Sequence, residues 1–147
     1  MEPSTISLLW SEAVAAEVVV FFFVGPALLK RIGPHGAAVL AAAAGIVRWS
    51  VMAVTNSVVV LSFVQPLHGL TFALLHLACM RIIASVVPIR LSATAQAFYA
   101  FGSGVVSAAL TALSGTLYAT YGGLSFFAMA VLCGVALPFA WYGLRDR

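Results

Sequence analysis

Apolar residues run through this chain in long blocks that neither the 3.6-residue nor the two-residue period breaks up. Five such blocks can be drawn: about residues 5–29, 36–54, 58–87, 91–120 and 123–144. Each reaches the ~17–25 residues that a helix needs to cross a bilayer, and the third and fourth are long enough to tilt. Turn chemistry separates them: Lys30-Arg31-Ile32-Gly33-Pro34, then Asn56-Ser57, Pro88 before Arg90, and Gly122-Gly123. The pattern predicts an all-α polytopic helix bundle forming a single membrane domain over residues 1–147, with five transmembrane helices. The connections are short, so successive helices are expected to be antiparallel neighbours.

Polar positions then stand out by their scarcity. Glu17, Arg48 and His68 interrupt the first, second and third blocks. Counted at ~1.5 Å per residue, Glu17 lies roughly 18 Å from the end of its block near Leu29. Arg48 lies roughly 18 Å from the start of its own, and His68 roughly 15 Å into the third. Against a ~30 Å hydrocarbon core all three fall near mid-membrane. A charge there costs several kcal/mol, so such residues face the bundle interior and pair with one another. The expected arrangement is a charge relay in which Arg48 is the counter-charge of Glu17. The bland alternative is a buried ion pair that only fixes helix packing.

Two blocks carry polar stripes. In the fourth, Gln96, Tyr99, Ser103, Ser107, Thr111, Ser114 and Tyr118 follow at spacings of 3, 4, 4, 4, 3 and 4, so they share one helical face. That face suits the wall of a water-filled cavity or a close interface. Ala100, Gly104 and Ala108 form a separate small-residue row suited to tight helix packing. In the third block Ser62, Gln65, His68 and His76 fall within about a third of the circumference at ~100° per residue, with Thr71 at its border. Pro66 cannot donate to the carbonyl of Ser62, so a break in the helix is expected one turn before His68. Glu12 and Glu17 point ~140° apart and are not expected to share a proton.

Composition settles the class. The chain is 63% hydrophobic and only 7% charged, against the roughly 25% charge of a soluble domain. It could not cover a water-facing surface. The amino-terminal run is too long for a cleavable signal, and Glu2 stands where Lys or Arg is usual. Cys79 and Cys133 lie inside apolar blocks and read as small hydrophobes. No zinc spacing, Ser/His/Asp set or Gly-rich phosphate loop is present, so neither an enzyme nor a cofactor is expected. The net charge of +3 is spread between helix ends, which argues against nucleic acid. With five spans, Lys30, Arg31, Arg81, Arg90, Arg145 and Arg147 share one side, and the other side has no Lys or Arg. By the positive-inside rule the amino terminus is outside and the carboxyl terminus cytoplasmic. Trp10, Trp141 and Tyr142 sit near span ends, where an aromatic belt is expected. An outside amino terminus without a signal is natural for a piece that follows other spans.

The runs Ala16-Glu17-Val18-Val19-Val20-Phe21, Val47-Arg48-Trp49 and Gln65-Pro66-Leu67-His68-Gly69, with Thr71, Phe72, His76, Leu77 and Arg81, resemble the major facilitator superfamily. The branch they look most like is that of the phenylpropionate permeases, related to the oligosaccharide:proton symporters. The resemblance covers nearly the whole chain and matches helices eight to twelve of a twelve-helix transporter. Residues Pro26–Gly36 look like a weakened copy of the family's cytoplasmic loop motif. Arg31 and Gly33 fit, but Lys30 replaces an acid and Pro34-His35 replace a basic pair. In the sugar:proton branch a Glu that takes part in proton coupling follows the His by one turn; here that position is Thr71.

The resemblance implies the carboxyl-terminal part of a proton-coupled symporter for a small organic solute, such as an aromatic or other organic acid, in a bacterial inner membrane. Glu17 and His68 would exchange protons, and Arg48 would hold an anionic solute group or the Glu17 charge in alternation. Gln65, Thr71, His76, Gln96 and Tyr99 would line the solute path, and the absent amino-terminal helices would supply its other wall. Two alternatives stay open. One is a small self-assembling multidrug exporter, which Ala13–Val18 resembles superficially. The other is a non-transporting scaffold or remnant.

Overall fold

The structure, a computed structural model, describes residues 2–143. The end of the last expected span and the tail cations Arg145 and Arg147 lie outside those residues. Helix α1 (Pro3–Val19) opens with proline at its first position, where no intrahelical N–H is needed. It runs through a wide π turn at Val20–Val24 into α2 (Gly25–Val54). Three residues later α3 (Val58–Val64) begins, and Thr55 Oγ1 accepts a bond from the Ser57 N–H in the turn between. After Gln65-Pro66 come the single turn α4 (Leu67–Gly69), a second π turn at Leu70–Leu74, and α5 (Leu75–Val86). A short 3-10 turn leads into α6 (Ser92–Tyr121), and another joins it to α7 (Phe126–Gly143).

Every regular element among the described residues is helical, as the apolar blocks require. The continuous apolar stretches number three, Pro3–Val54, Val58–Val86 and Ile89–Gly143. The count of five drawn from the sequence is therefore not the count of unbroken helices. The first stretch has 52 residues and the third 55, or roughly 80 Å each if straight, more than twice a ~30 Å core. Each contains one glycine with positive φ. Gly33 (φ 68°, ψ 176°) leaves helical geometry just before Pro34, and Gly122 (φ 56°) separates α6 from the turn that precedes α7. L-residues resist that backbone conformation, so these glycines localise the bends.

Packing is organised by α1, the α3–α5 stretch and the part of α2 after Gly33. Ala16 and Val20 lie against Gly69, and Gly25 lies against Leu77. Both sequence numbers rise together, so α1 and the α3–α5 stretch run parallel. The two π turns touch each other at one level. The later part of α2 runs antiparallel to α7, with His35 near Trp141, Gly45 near Cys133 and Trp49 stacked on Phe126. The innermost cluster is Val20, Ala37, Ala73, Leu74 and Ala78, with Phe21, Leu28, Leu29, Leu40 and Leu70 packed around it. Alanine dominates because lipid supplies no hydrophobic drive between helices; close backbone approach and dispersion must do so instead.

Helix α6 departs from expectation. It buries no residue, and beyond its flanking turns its main contact is with α5. Ala100, Gly104 and Ala108 are exposed, and nothing comes within 4 Å of a side chain placed at Gly104. The small-residue row therefore packs against no helix among the described residues. Successive elements are not all neighbours, because the matching surface for α2 is α7 and not α6.

Gly69 gives a direct test of the parallel pair. A Cβ there would stand 2.8 Å from the Ala16 carbonyl oxygen and 2.7 Å from a Val20 methyl. Replacing Gly69 by Val should push the helices apart and cost about 1–3 kcal/mol. Gly104→Val should be nearly neutral. Thermal unfolding of the two variants in detergent distinguishes them, and equal melting temperatures would contradict the contact.

Candidate functional site

The expected residues on the first three blocks converge, but their pairing is not the expected one. Glu17, on the last full turn of α1, faces His68 on α4, with Oε2 3.6 Å from Nε2. Both side chains are about four-fifths buried (22% and 17% exposed). The distance is that of an ion pair and just beyond a hydrogen bond. Arg48, on α2, is 4% exposed and donates from Nη2 to Gln65 Oε1 at 3.0 Å. The expected Glu17–Arg48 pair is thus not formed: the ion-pair partner of Glu17 is His68, and the guanidinium bonds to a neutral amide.

The local fold explains the exchange of partners. Because α1 and the α3–α5 stretch are parallel and in close contact at Gly69, the residue of α1 that meets His68 is the one a turn before the π segment, Glu17. Arg48 approaches from α2 on the other side and meets the residue one turn earlier, Gln65. Pro66 breaks the ladder between them as expected. The N–H of His68 bonds to the Gln65 carbonyl at 2.9 Å, and that of Gly69 to the Pro66 carbonyl at 3.1 Å. These i→i−3 bonds tighten the turn and hold Gln65 and His68 on one face. Two polar contacts therefore lie side by side across three helices.

Arg48 is left incompletely satisfied. Its Nε is buried without a hydrogen-bond partner, and its Cζ lies 4.6 Å from the centre of the Trp49 ring. The cation–π contact offsets part of the desolvation but supplies no negative charge. Arginine cannot shed its proton in a protein, so a buried guanidinium without a carboxylate retains capacity for an anion.

The solute-path candidates divide. Thr71 gives its hydroxyl to the His68 carbonyl at 3.1 Å, so that hydroxyl is engaged in the helix itself. His76 lies between Phe21 and Tyr99, at ring distances of 5.8 and 6.0 Å. Tyr99 is half-buried there, while Gln96 is exposed and bonds to Ser92 of its own helix at 3.2 Å. Ser103, Thr111 and Ser114 bond back to carbonyls of α6. Most of the α6 stripe therefore stands open to the outside of the chain. Among the described residues no three His, Cys, Asp or Glu side chains converge as metal ligands.

The residues that sequence reading missed are aromatic. Trp10 lies 5.9 Å from the His68 ring, and Phe72 stacks on it at 5.8 Å. Trp49 lies under Arg48 and stacks on Phe126 at 5.7 Å. Trp10 had the reading of an interfacial belt residue. The available signal was its seven-residue spacing from Glu17, two turns on the same face.

Because Gln65 is the bonded partner of Arg48, replacing Gln65 by Leu should leave a buried charged donor unpaired and cost about 1–3 kcal/mol. Glu17→Gln should be milder, since His68 can become neutral where Arg48 cannot. Melting temperatures of the two variants in detergent check the order. A Glu17→Gln protein clearly less stable than Gln65→Leu would restore the pairing of Glu17 with Arg48.

No solved structure matches the chain. The chain is similar to a protein of Escherichia coli (strain K12) described as "Probable 3-phenylpropionic acid transporter", with 35% identity over 135 residues. The match covers 92% of this chain and 35% of that protein, so the chain spans about a third of its relative's length. A model of the MFS_1 like family matches residues 1–129. These likenesses point to a membrane transporter and not to an enzyme, and on them the chain belongs to the MFS_1 like family, a branch of the major facilitator superfamily.

Proposed function

We propose that the chain forms part of a proton-coupled symporter for a small organic acid, aromatic acids included, in a bacterial inner membrane. The observation that carries this reading is the state of Arg48: buried, cationic, bonded to a neutral amide and holding an orphaned Nε. A solute carboxylate would complete its coordination, and the planar guanidinium fork suits that group. Glu17 and His68 would hold the transported proton. They adjoin the anion site through the Gln65–His68 turn, so charge at one pair is felt at the other. Thr71, His76, Gln96 and Tyr99 would line the route. The similarity to a relative described as a 3-phenylpropionic acid transporter supports an aromatic acid as the solute.

In this reading the chain crosses the membrane five times, with bends at Gly33 and Gly122 serving as the turns, and corresponds to helices eight to twelve of the family fold. The open polar face of α6 would meet further helices that supply the second wall. Proton-driven accumulation of 3-phenylpropionate should therefore require those helices. The chain alone in liposomes should give none, and a transporter carrying both parts should lose accumulation at least tenfold on Arg48→Ala. Uptake of labelled 3-phenylpropionate into liposomes under an imposed inward proton gradient measures both. Uptake by the isolated chain would favour a self-assembling exporter instead.

Orientation follows from Lys30, Arg31, Arg81 and Arg90 falling at one set of helix ends, with Arg145 and Arg147 adding to the same side in sequence. A reporter active only in the cytoplasm should work when fused after Arg147 and fail at Asn56. The reverse result would invert the topology.

A further inference from the structure

We propose that Trp10 is a positioning residue that holds the His68 imidazole toward Glu17. The inference deepens the proposed function and rests on its reading of Glu17–His68 as the proton-holding pair. Two rings touch the imidazole, and their places in the chain differ. Phe72 stands one turn beyond His68 on the same helical stretch. It moves with His68, so it cannot fix the ring relative to another helix. Trp10 belongs to α1 and lies 5.9 Å from the imidazole. It precedes Glu17 by seven residues, two helical turns, and so shares the face of α1 that carries the carboxylate. The His68 ring is thereby tied to α1 at two points, an aromatic contact and an ionic one. The 3.6 Å separation of Nε2 and Oε2 leaves the ionic contact loose. A free imidazole can rotate and offer either nitrogen; an indole packed against it restricts that choice.

Trp10 is itself 60% exposed. It therefore contributes little to the core, and its substitution changes the surroundings of His68 more than the packing of the bundle.

The test is the tautomer of His68 in the full chain, labelled with 15N-histidine in lipid nanodiscs at alkaline pH and read from long-range nitrogen–proton correlations. His35 and His76 are internal references. In the native chain His68 should carry its proton on Nε2, toward Glu17. Trp10→Ala should lower that preference by about three- to tenfold, the size of an aromatic pair contact, with His35 and His76 unchanged. Trp10→Phe should restore it. A native His68 pattern in Trp10→Ala, with Glu17→Leu shifting it, would overturn the role of Trp10 and leave the ion pair standing. A native pattern in both variants would remove the pair itself. Should Trp10→Ala disturb all three histidines, Trp10→Leu decides, since it keeps bulk without an aromatic face. A native His68 there overturns the proposal, and a released His68 beside native His35 and His76 supports it.

Discussion

A guanidinium buried to 4% exposure in a nearly charge-free helix bundle is the constraint on which the site depends. Lipid cannot solvate it, and the side chain cannot neutralise. The chain supplies one acceptor, Gln65 Oε1, and one aromatic face, Trp49. Both are neutral. The helix carrying Gln65 must then be held where its amide reaches Arg48, and Pro66 sets that turn by withdrawing a hydrogen-bond donor from the ladder. His68 follows within the same turn and so meets Glu17.

The supporting framework is made for close approach. Ala37, Ala73 and Ala78 have no exposed surface at all, and Gly69 sits against the Ala16 carbonyl with no room for a Cβ. Such contacts bring α1, α2 and the α3–α5 stretch near enough for short side-chain bridges to span them. Each long helix of the parallel pair also carries a π turn immediately after its site residue: Val20–Val24 after Glu17, and Leu70–Leu74 after His68. A π turn re-aims everything beyond it, and such turns recur at functional sites. Their shared level keeps the two helices in step.

Outside this framework the chain is open. Phe22, Phe23, Phe63 and Phe139 are each at least 73% exposed, as lipid-facing residues should be. The polar face of α6 is equally open but has no affinity for lipid. Helix α6 exposes apolar rings too, Phe98 and Phe101 among them, so its hydroxyl row is one stripe of an otherwise apolar open surface.

Much of this was written in the sequence. Block length and the near absence of charge determined a helical membrane protein, because only internally bonded helices tolerate hydrocarbon over such lengths. The rarity of Glu17, Arg48 and His68 marked them as candidate site residues, since each costs energy that only a partner returns. Pro66 announced the break beside His68. Partner choice was not legible, because depth along a helix follows from counting residues whereas rotation and neighbour identity do not. Glu17 and Arg48 stand at similar depth, yet the parallel contact at Gly69 turns Glu17 to His68, and α2 presents Arg48 to Gln65. The pairing of α2 with α7, the isolation of α6 and the place of Trp10 beside His68 were likewise decided by the tertiary structure. Each depends on which surfaces fit across space; spacing put Trp10 on the face of Glu17 but did not say which helix that face would meet.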